Sequence, residues 1–454
     1  MSGFDQALIA AVHAADAYAK ANQVNVVVVR DLLGRNSLAV PRGDDHQQER
    51  LRETLRENCA PFVSPRPVLV LEEMFAADLI TKSPSLRPAP FTISDSGRVS
   101  ILERSAVGAD WLGAVATGHP RRVTLYGYKG GVGRSTAAYA LAEHLAGLGK
   151  VVLIIDLDLE SPGVSTMLAP DSDSLPEHGL VDHLVEYALG EPRPLDLVAR
   201  AAGIVPDSGN GEVWFAAAAG RPPVRKELGD SYLDKLSRIY LDLPAAPELA
   251  RDALPFGARL EAAVAEAERQ VAANGRPADI VLLDSRSGIH DIAAVAITQL
   301  SSLSLLFAGD NPQTWLGYRR LFTRWATRLP DDERVRLRSR LQMVAALVPL
   351  EDGDTYLRKF ADHAQSVFAD TLYDNDVAPA EFDPDSGTEP FNFAPEDDAA
   401  PHYPIPIRHS SDLVGLIPGV DRRWQASKAV YLAYSEFFEK TTPLIKEASY
   451  AEYD

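Results

Sequence analysis

The segment Lys129-Gly130-Gly131-Val132-Gly133-Arg134-Ser135-Thr136 constrains this chain more than any other, through its place as much as its letters. The short apolar run Val123–Tyr126 precedes it and the apolar-spaced stretch Ser135–Leu148 comes after, so a glycine-rich turn links a strand to a helix. Such glycines let the backbone approach phosphate groups with N–H groups turned inward. The helix N-terminus adds the positive end of its dipole, and the Ser135 hydroxyl is placed to ligate Mg2+. The plain alternative is a turn that happens to precede a helix, and the agreement of position with composition argues against it.

Beyond the loop the chain has the texture of a doubly wound α/β fold. Val151–Ile155 is a continuous apolar, β-branched run, the mark of a parallel strand buried on both faces. Ile280–Leu283, Ser302–Phe307 and Val344–Val348 repeat it, with the helical Leu260–Ala273 before the first of them. Strand and helix in regular succession predict a mostly parallel sheet with ligand at the carboxyl ends of its strands.

At 454 residues the chain exceeds the usual span of one domain, about 100–200 residues. Residues 1–115 read as a small N-terminal α/β domain: a helix near 4–20, a strand at Asn25–Val29, a charged helix near 44–58, and apolar runs Val68–Leu71 and Val99–Leu102. Lys82–Arg87 and Pro88–Pro90 read as loop, and this region carries no chemical motif. Residues 120–445 form the larger domain, with an insertion at about 165–260 and an acidic, proline-rich stretch at 374–401 expected to be a mobile loop. The strand His402–Ile407 and the helix Trp424–Lys440 are expected to close it.

Cys59 is the only cysteine, which excludes an intrachain disulfide and a cysteine-based zinc site and leaves a buried, inert thiol as the expectation. The N-terminus has acidic Asp5 and no basic segment before its apolar stretch, so it reads as an amphipathic helix and not a signal peptide. No apolar run reaches the ~20 residues of a membrane span. A cytoplasmic location is expected. The net charge of −19 opposes general adhesion to nucleic acid or anionic lipid.

Two further segments carry carboxylates at strand ends. VVLIIDLDLESPG ends a strand with Asp156 and Asp158, and DIVLLDSRSGIHD ends one with Asp284. Taken alone, such carboxylates more often cap the next helix. Beside the glycine loop they form a set, and here the chain resembles the ParA/MinD family of deviant Walker A P-loop ATPases, whose loop reads KGGxGK[ST]. The combination of KGGVGRS, Asp-Leu-Glu-x-Pro-Gly and DSRSG looks like a bacterial subgroup with DSR[ST]G, and motif support covers roughly residues 121–315.

The resemblance implies ATP and Mg2+ as cofactors, ATP hydrolysis that is slow and partner-stimulated, and a homodimer in the ATP state. It implies that Lys129 reaches the partner's nucleotide and that Gly130, Gly131, Val132, Gly133, Arg134, Ser135 and Thr136 hold the phosphates. Asp158 would orient the attacking water. Asp156 would hold a Mg2+-bound water, Asp284 would meet Mg2+ through water, and Gly288 would be the flexible glycine near the γ-phosphate. Two positions depart from a standard loop: Tyr128 stands where an ordinary loop has its first glycine, and Arg134 replaces a lysine, a planar fork in place of a compact charge. Arg286 is left with two readings, an arginine finger or an ion pair with Asp291 or Glu160. Asp310-Asn311-Pro312 is either a rim of the pocket or simple turn chemistry.

The stretch from Arg319 to Arg340 is rich in arginine, and Arg320, Arg324 and Arg328 fall on one face of a helix spanning Trp315–Arg328. With Arg319 they could meet a DNA backbone, or be solvated or paired with carboxylates. Two functions stay open: a dimerisation switch that positions or regulates DNA, protein cargo or an effector, and a nucleotide-gated sensor or adaptor of a multi-gene system such as phage defence. Membrane attachment is not expected, since the tail KTTPLIKEASYAEYD ends acidic and lacks a basic amphipathic helix.

Overall fold

The computed structural model describes residues 3–450 except 43, 84, 91, 95–97, 105–107, 109, 114, 117–118, 190–193, 202, 205–209, 223–230, 244–252, 375–389 and 426. The chain divides into two compact units, Met1–Gly113 with Arg324–Arg334, and Ala114–Thr323 with Val335–Asp454.

The first unit holds a five-stranded sheet of β1 (Val26–Arg30), β2 (Asn36–Val40), β3 (Val63–Val70), β4 (Leu86–Pro88) and β5 (Val99–Glu103), in the order β3-β2-β1-β5-β4. The helices Phe4–Asn22 and Asp45–Cys59 give Leu8, Val12, Leu51 and Leu55 to one core with Val26, Val28 and Ile101. Asp44 caps the second helix by accepting from the His46 N–H at 3.1 Å. The proline-bearing segment expected to be loop contains β4, which runs antiparallel to β5. Pro88 is tolerable there because β4 is an edge strand. Within this unit Trp325 donates its indole N–H to the Trp111 carbonyl at 3.1 Å, so the end of the arginine-rich helix is built into the unit.

The second unit holds an eight-stranded sheet of β6 (His119–Gly127), β7 (Val151–Leu157), β8 (Val198–Arg200), β9 (Glu212–Ala216), β10 (Ile280–Ser285), β11 (Ser301–Ala308), β12 (Leu341–Val348) and β13 (Ile405–Arg408). The order is β13-β12-β11-β6-β10-β7-β9-β8, and every neighbouring pair is parallel except β8 with β9. Alternation sorts the buried strands. Val152, Ile154 and Leu282 face a core shared with the helices Arg134–Gly147 and Lys428–Tyr450, while Leu153, Ile155 and Leu283 face the helices Leu180–Tyr187 and Phe256–Ala273. This is a doubly wound, mostly parallel sheet. After β6 the chain passes to β7 on one side, and after β10 it returns to β11 on the other, so the switch point lies at the carboxyl ends of β6 and β10.

The expected insertion supplies β8 and β9 to this sheet, which its turn-rich sequence concealed. Where the acidic stretch is described it is loop and turn, held by side chains: Phe391 and Phe393 pack on Tyr373 with ring centroids 5.7 and 5.6 Å away, and Asp374 pairs with Arg338 at 2.6 Å. Residues 375–389 of it lie outside the described residues. Among the described residues, no helix is long and apolar enough to cross a membrane.

Candidate functional site

β6 ends at Gly127, and the loop turns directly into the helix Arg134–Gly147. Gly131 and Gly133 take φ of +77° and +75° with open space where a Cβ would stand, so backbone conformation and not crowding demands glycine there. The loop lines a cavity of about 380 Å³ together with Asp158, Ser161, Arg286 and Ser287. Gly163 approaches this wall closely: a Cβ on it would stand 3.1 Å from Ser135 Oγ. Lys129 is exposed and makes no ion pair with a described residue. Tyr128, the residue in place of the first glycine, packs against Tyr318 with centroids 6.0 Å apart, and Tyr318 donates its hydroxyl to the Phe307 carbonyl at 2.9 Å. An aromatic stack therefore supports the start of the loop.

The strand-end carboxylates gather because β7 and β10 are in register, with Asp156 opposite Asp284. Arg134 lies among them, buried. Its Nε donates to Asp284 Oδ1 at 2.7 Å, and its Nη2 reaches Asp158 Oδ2 at 3.3 Å. Burial works against the guanidinium's charge, yet Asp284, with Asp158 and Asp156, holds its pKa above the ordinary value. Asp156 Oδ2 accepts from the Ser165 N–H at 3.0 Å and hydroxyl at 2.6 Å, and Oδ1 from the Asp158 N–H at 3.1 Å. Burial, then the charge of Asp284, pushes the Asp156 carboxyl up. Burial also raises Asp158, against the pull of Arg134.

Asp158 Oδ1 and Asp284 Oδ2 are buried without a hydrogen-bond partner. Two orphaned carboxylate oxygens, with Ser135 and Asp158 lining one cavity, fit a hydrated Mg2+, which uses one or two carboxylates, waters and substrate phosphates rather than a full protein cage. Among the described residues there is no group of three or more His, Cys, Asp or Glu able to hold a metal.

Beyond Asp284 the chain is clamped to the loop strand. The Gly288 N–H donates to the Gly127 carbonyl at 3.2 Å, and Tyr126 donates its hydroxyl to the Gly288 carbonyl at 3.1 Å. Gly288 has φ of +81°. Of the two readings of Arg286, the ion pair is present: its guanidinium is paired with Glu160. Tyr240 donates its hydroxyl to the same carboxylate, and His290 Nε2 stands 3.4 Å from it. Burial is the largest influence on His290 and lowers its pKa, against the attraction of Glu160.

Other residues fall elsewhere. Asp310 accepts from the Trp315 indole at 2.7 Å, and Asn311 accepts from the Thr314 N–H at 3.0 Å, so this triplet is turn and cap chemistry at the start of the helix Pro312–Arg328. In the arginine stretch, Arg319 pairs with Asp370, Arg334 with Asp331, and Arg338 with Asp374, while Arg340 donates to the Ser301 and Ala116 carbonyls. Arg320, Arg324 and Arg328 make no ion pair with a described residue. Sequence reasoning passed over Gly163, Tyr240 and Tyr318. Only Gly163 had a local signal, as the glycine closing Asp-Leu-Glu-x-Pro-Gly.

Residues 121–185 match the model of a family described as an AAA domain. No curated protein matches the chain in sequence. Among solved structures, the chain is similar to pNOB8 ParA at 14% identity, over 72% of this chain and 99% of that one, with a TM-score of 0.44. MinD of Aquifex aeolicus is similar at 14% identity, over 71% and 97%, with a TM-score of 0.39. McdA of Cyanothece, in a complex with ATP, is similar at 14% identity, over 74% and 97%, with a TM-score of 0.38.

Proposed function

We propose that this chain is a Mg2+-dependent ATPase of the deviant Walker A type, whose ATP-bound homodimer positions or regulates a partner. The observation that carries this reading is the pair of orphaned carboxylate oxygens, Asp158 Oδ1 and Asp284 Oδ2, at the ends of two neighbouring strands, with Asp158 lining the same cavity as the glycine loop. Loop amides and the helix N-terminus grip the inner phosphates, and Arg134 neutralises them. Ser135 and Asp284 hold Mg2+ in this reading, with Asp156 behind them on a Mg2+-bound water. When bound, Mg2+ neutralises charge on the phosphate oxygens. Asp158 orients the attacking water, and Lys129, exposed and unpaired among the described residues, serves the nucleotide of a second copy. Turnover is slow and partner-stimulated, because Arg134 is engaged with the carboxylates that the reaction needs.

Calorimetric titration with ATP and Mg2+, with the oligomeric state followed by light scattering, tests the reading. Saturable binding with conversion to a dimer is expected. No binding at millimolar ATP and Mg2+ overturns it. Arg320, Arg324 and Arg328, without an ion pair among the described residues, favour DNA as one class of partner, and the separate core of the first unit favours an adaptor role. Salt-dependent DNA retention in ATP, lost on charge reversal at Arg320 and Arg324, selects the first, and no retention in either form selects the second.

A further inference from the structure

Arg286 lines the phosphate cavity, yet its charge is turned onto Glu160, a carboxylate from the other strand-end segment. Glu160 is itself held in place. Tyr240 donates to one of its oxygens, His290 stands beside that oxygen, and the Tyr240 ring lies against His290 with centroids 5.1 Å apart. Tyr240 has little freedom to leave, because Arg259, fully buried, donates to the carbonyls on either side of it, those of Ile239 and Leu241. Arg286 is about one-third exposed and Glu160 about one-fifth, at 31% and 21%, so the pair is open enough to exchange. A cavity wall thus carries a cation whose present partner is fixed and whose alternative partner is a phosphate.

Resting on the nucleotide reading above, we propose that Arg286 distinguishes a nucleoside triphosphate from a diphosphate, and that Glu160, positioned by Tyr240, holds it in reserve until the terminal phosphate arrives. The inner phosphates are served by the amides and dipole at the helix start, which any diphosphate also satisfies. Ser287, next to Arg286, lies at the opposite end of the loop, its Oγ 3.4 Å from where a Cβ on Gly130 would stand. In this proposal the third phosphate, and not the first two, would meet that wall. Exchange of Arg286 from carboxylate to phosphate replaces one charge-assisted contact with another, so the strength of the Glu160 anchor sets the preference.

Affinities for Mg2+ with ADP and with a non-hydrolysable ATP analogue test this by calorimetry. Glu160→Gln is expected to raise the triphosphate-to-diphosphate affinity ratio about tenfold, the size of one charged hydrogen bond. Tyr240→Phe is expected to move the ratio in the same direction by less. Arg286→Ala is expected to abolish the preference, and the Glu160→Gln/Arg286→Ala double variant to match Arg286→Ala alone. A purely structural Glu160 would weaken both nucleotides alike, so an unchanged ratio in Glu160→Gln and Tyr240→Phe, with both nucleotides still bound, overturns the proposal. A wild-type protein that binds neither nucleotide overturns the nucleotide reading itself.

Discussion

Arg134 and Asp284 are joined by a buried ion pair, Nε to Oδ1 at 2.7 Å, at the position where a phosphate-binding loop ordinarily presents a lysine. The second arm of the fork reaches Asp158 at 3.3 Å, so one cation restrains a carboxylate in β10 and one just past the end of β7. Removing it leaves buried acidic groups without compensation. Arg134→Ala is expected to lower unfolding stability by about 3–5 kcal/mol, and Arg134→Lys by less because one of the two contacts survives. Denaturant unfolding in EDTA measures both, and added Mg2+ should recover part of the Arg134→Ala loss by supplying a cation at Asp284. Equal stability of Arg134→Ala and wild type would show that the bridge does not hold the carboxylates.

Gly163 gives a second, independent test, since its φ of −111° is open to any residue and only space is at issue. A methyl group there would stand 3.1 Å from Ser135 Oγ. Gly163→Ala is expected to weaken nucleotide binding several-fold in Mg2+ and to leave binding in EDTA nearly unchanged. Equal loss under both conditions would mean that the loop, not the serine, is disturbed.

The parts legible in the sequence were those with a local cause. Glycines before an apolar-spaced helix, and β-branched runs ending in Asp156 and Asp284, follow from backbone freedom and two-sided burial, and they marked the doubly wound sheet and the carboxyl ends of its strands. Strands β8 and β9 were not legible, because each is short and flanked by turn-rich sequence, and pairing to β7 rather than propensity makes them strands. The contact of Arg286 with Glu160 was one of several open pairings; its clamp by Tyr240 was invisible, since it joins residues 80 apart through the fold. In the arginine stretch, pairing with carboxylates was one of the readings left open, and Arg338 follows it, buried and bound to Asp374, while buried Arg340 is bound to backbone carbonyls instead.

Cys59 reports on the first unit alone. Its side chain is fully buried in the core of the helices Phe4–Asn22 and Asp45–Cys59, donates to the Ala7 carbonyl at 3.4 Å, and has its pKa pushed up to about 11 by burial. Because the thiolate is the nucleophile, the native thiol stays protonated and inert through pH 8–9, while an unfolded one titrates near about 8.5. Labelling by a thiol reagent at pH 8 is therefore expected to be slow and to track the opening of this unit, rising steeply with denaturant. Fast labelling of the native protein would contradict the buried placement. Comparison with and without ATP then reads whether nucleotide binding in the second unit stabilises the first.

In the proposed function Lys129 separates binding from turnover. It stands at the edge of the loop cavity, exposed, with no ion-pair partner among the described residues, whereas the groups proposed to grip phosphate are backbone amides and the helix start. Truncating a side chain that takes no part in the grip should leave affinity alone. Lys129→Ala is expected to bind ATP within about twofold of wild type, the ordinary scatter for a surface substitution. Hydrolysis per molecule in the wild type is expected to rise with protein concentration, as a reaction completed by a second copy must, and Lys129→Ala should lose that rise. The decisive measurement mixes the two proteins: an Asp158→Ala chain, intact at Lys129, should restore turnover to Lys129→Ala by lending its lysine across the dimer. Normal concentration-dependent turnover by Lys129→Ala alone would remove the lysine from the reaction, and with it the argument that the dimer is the catalytic form.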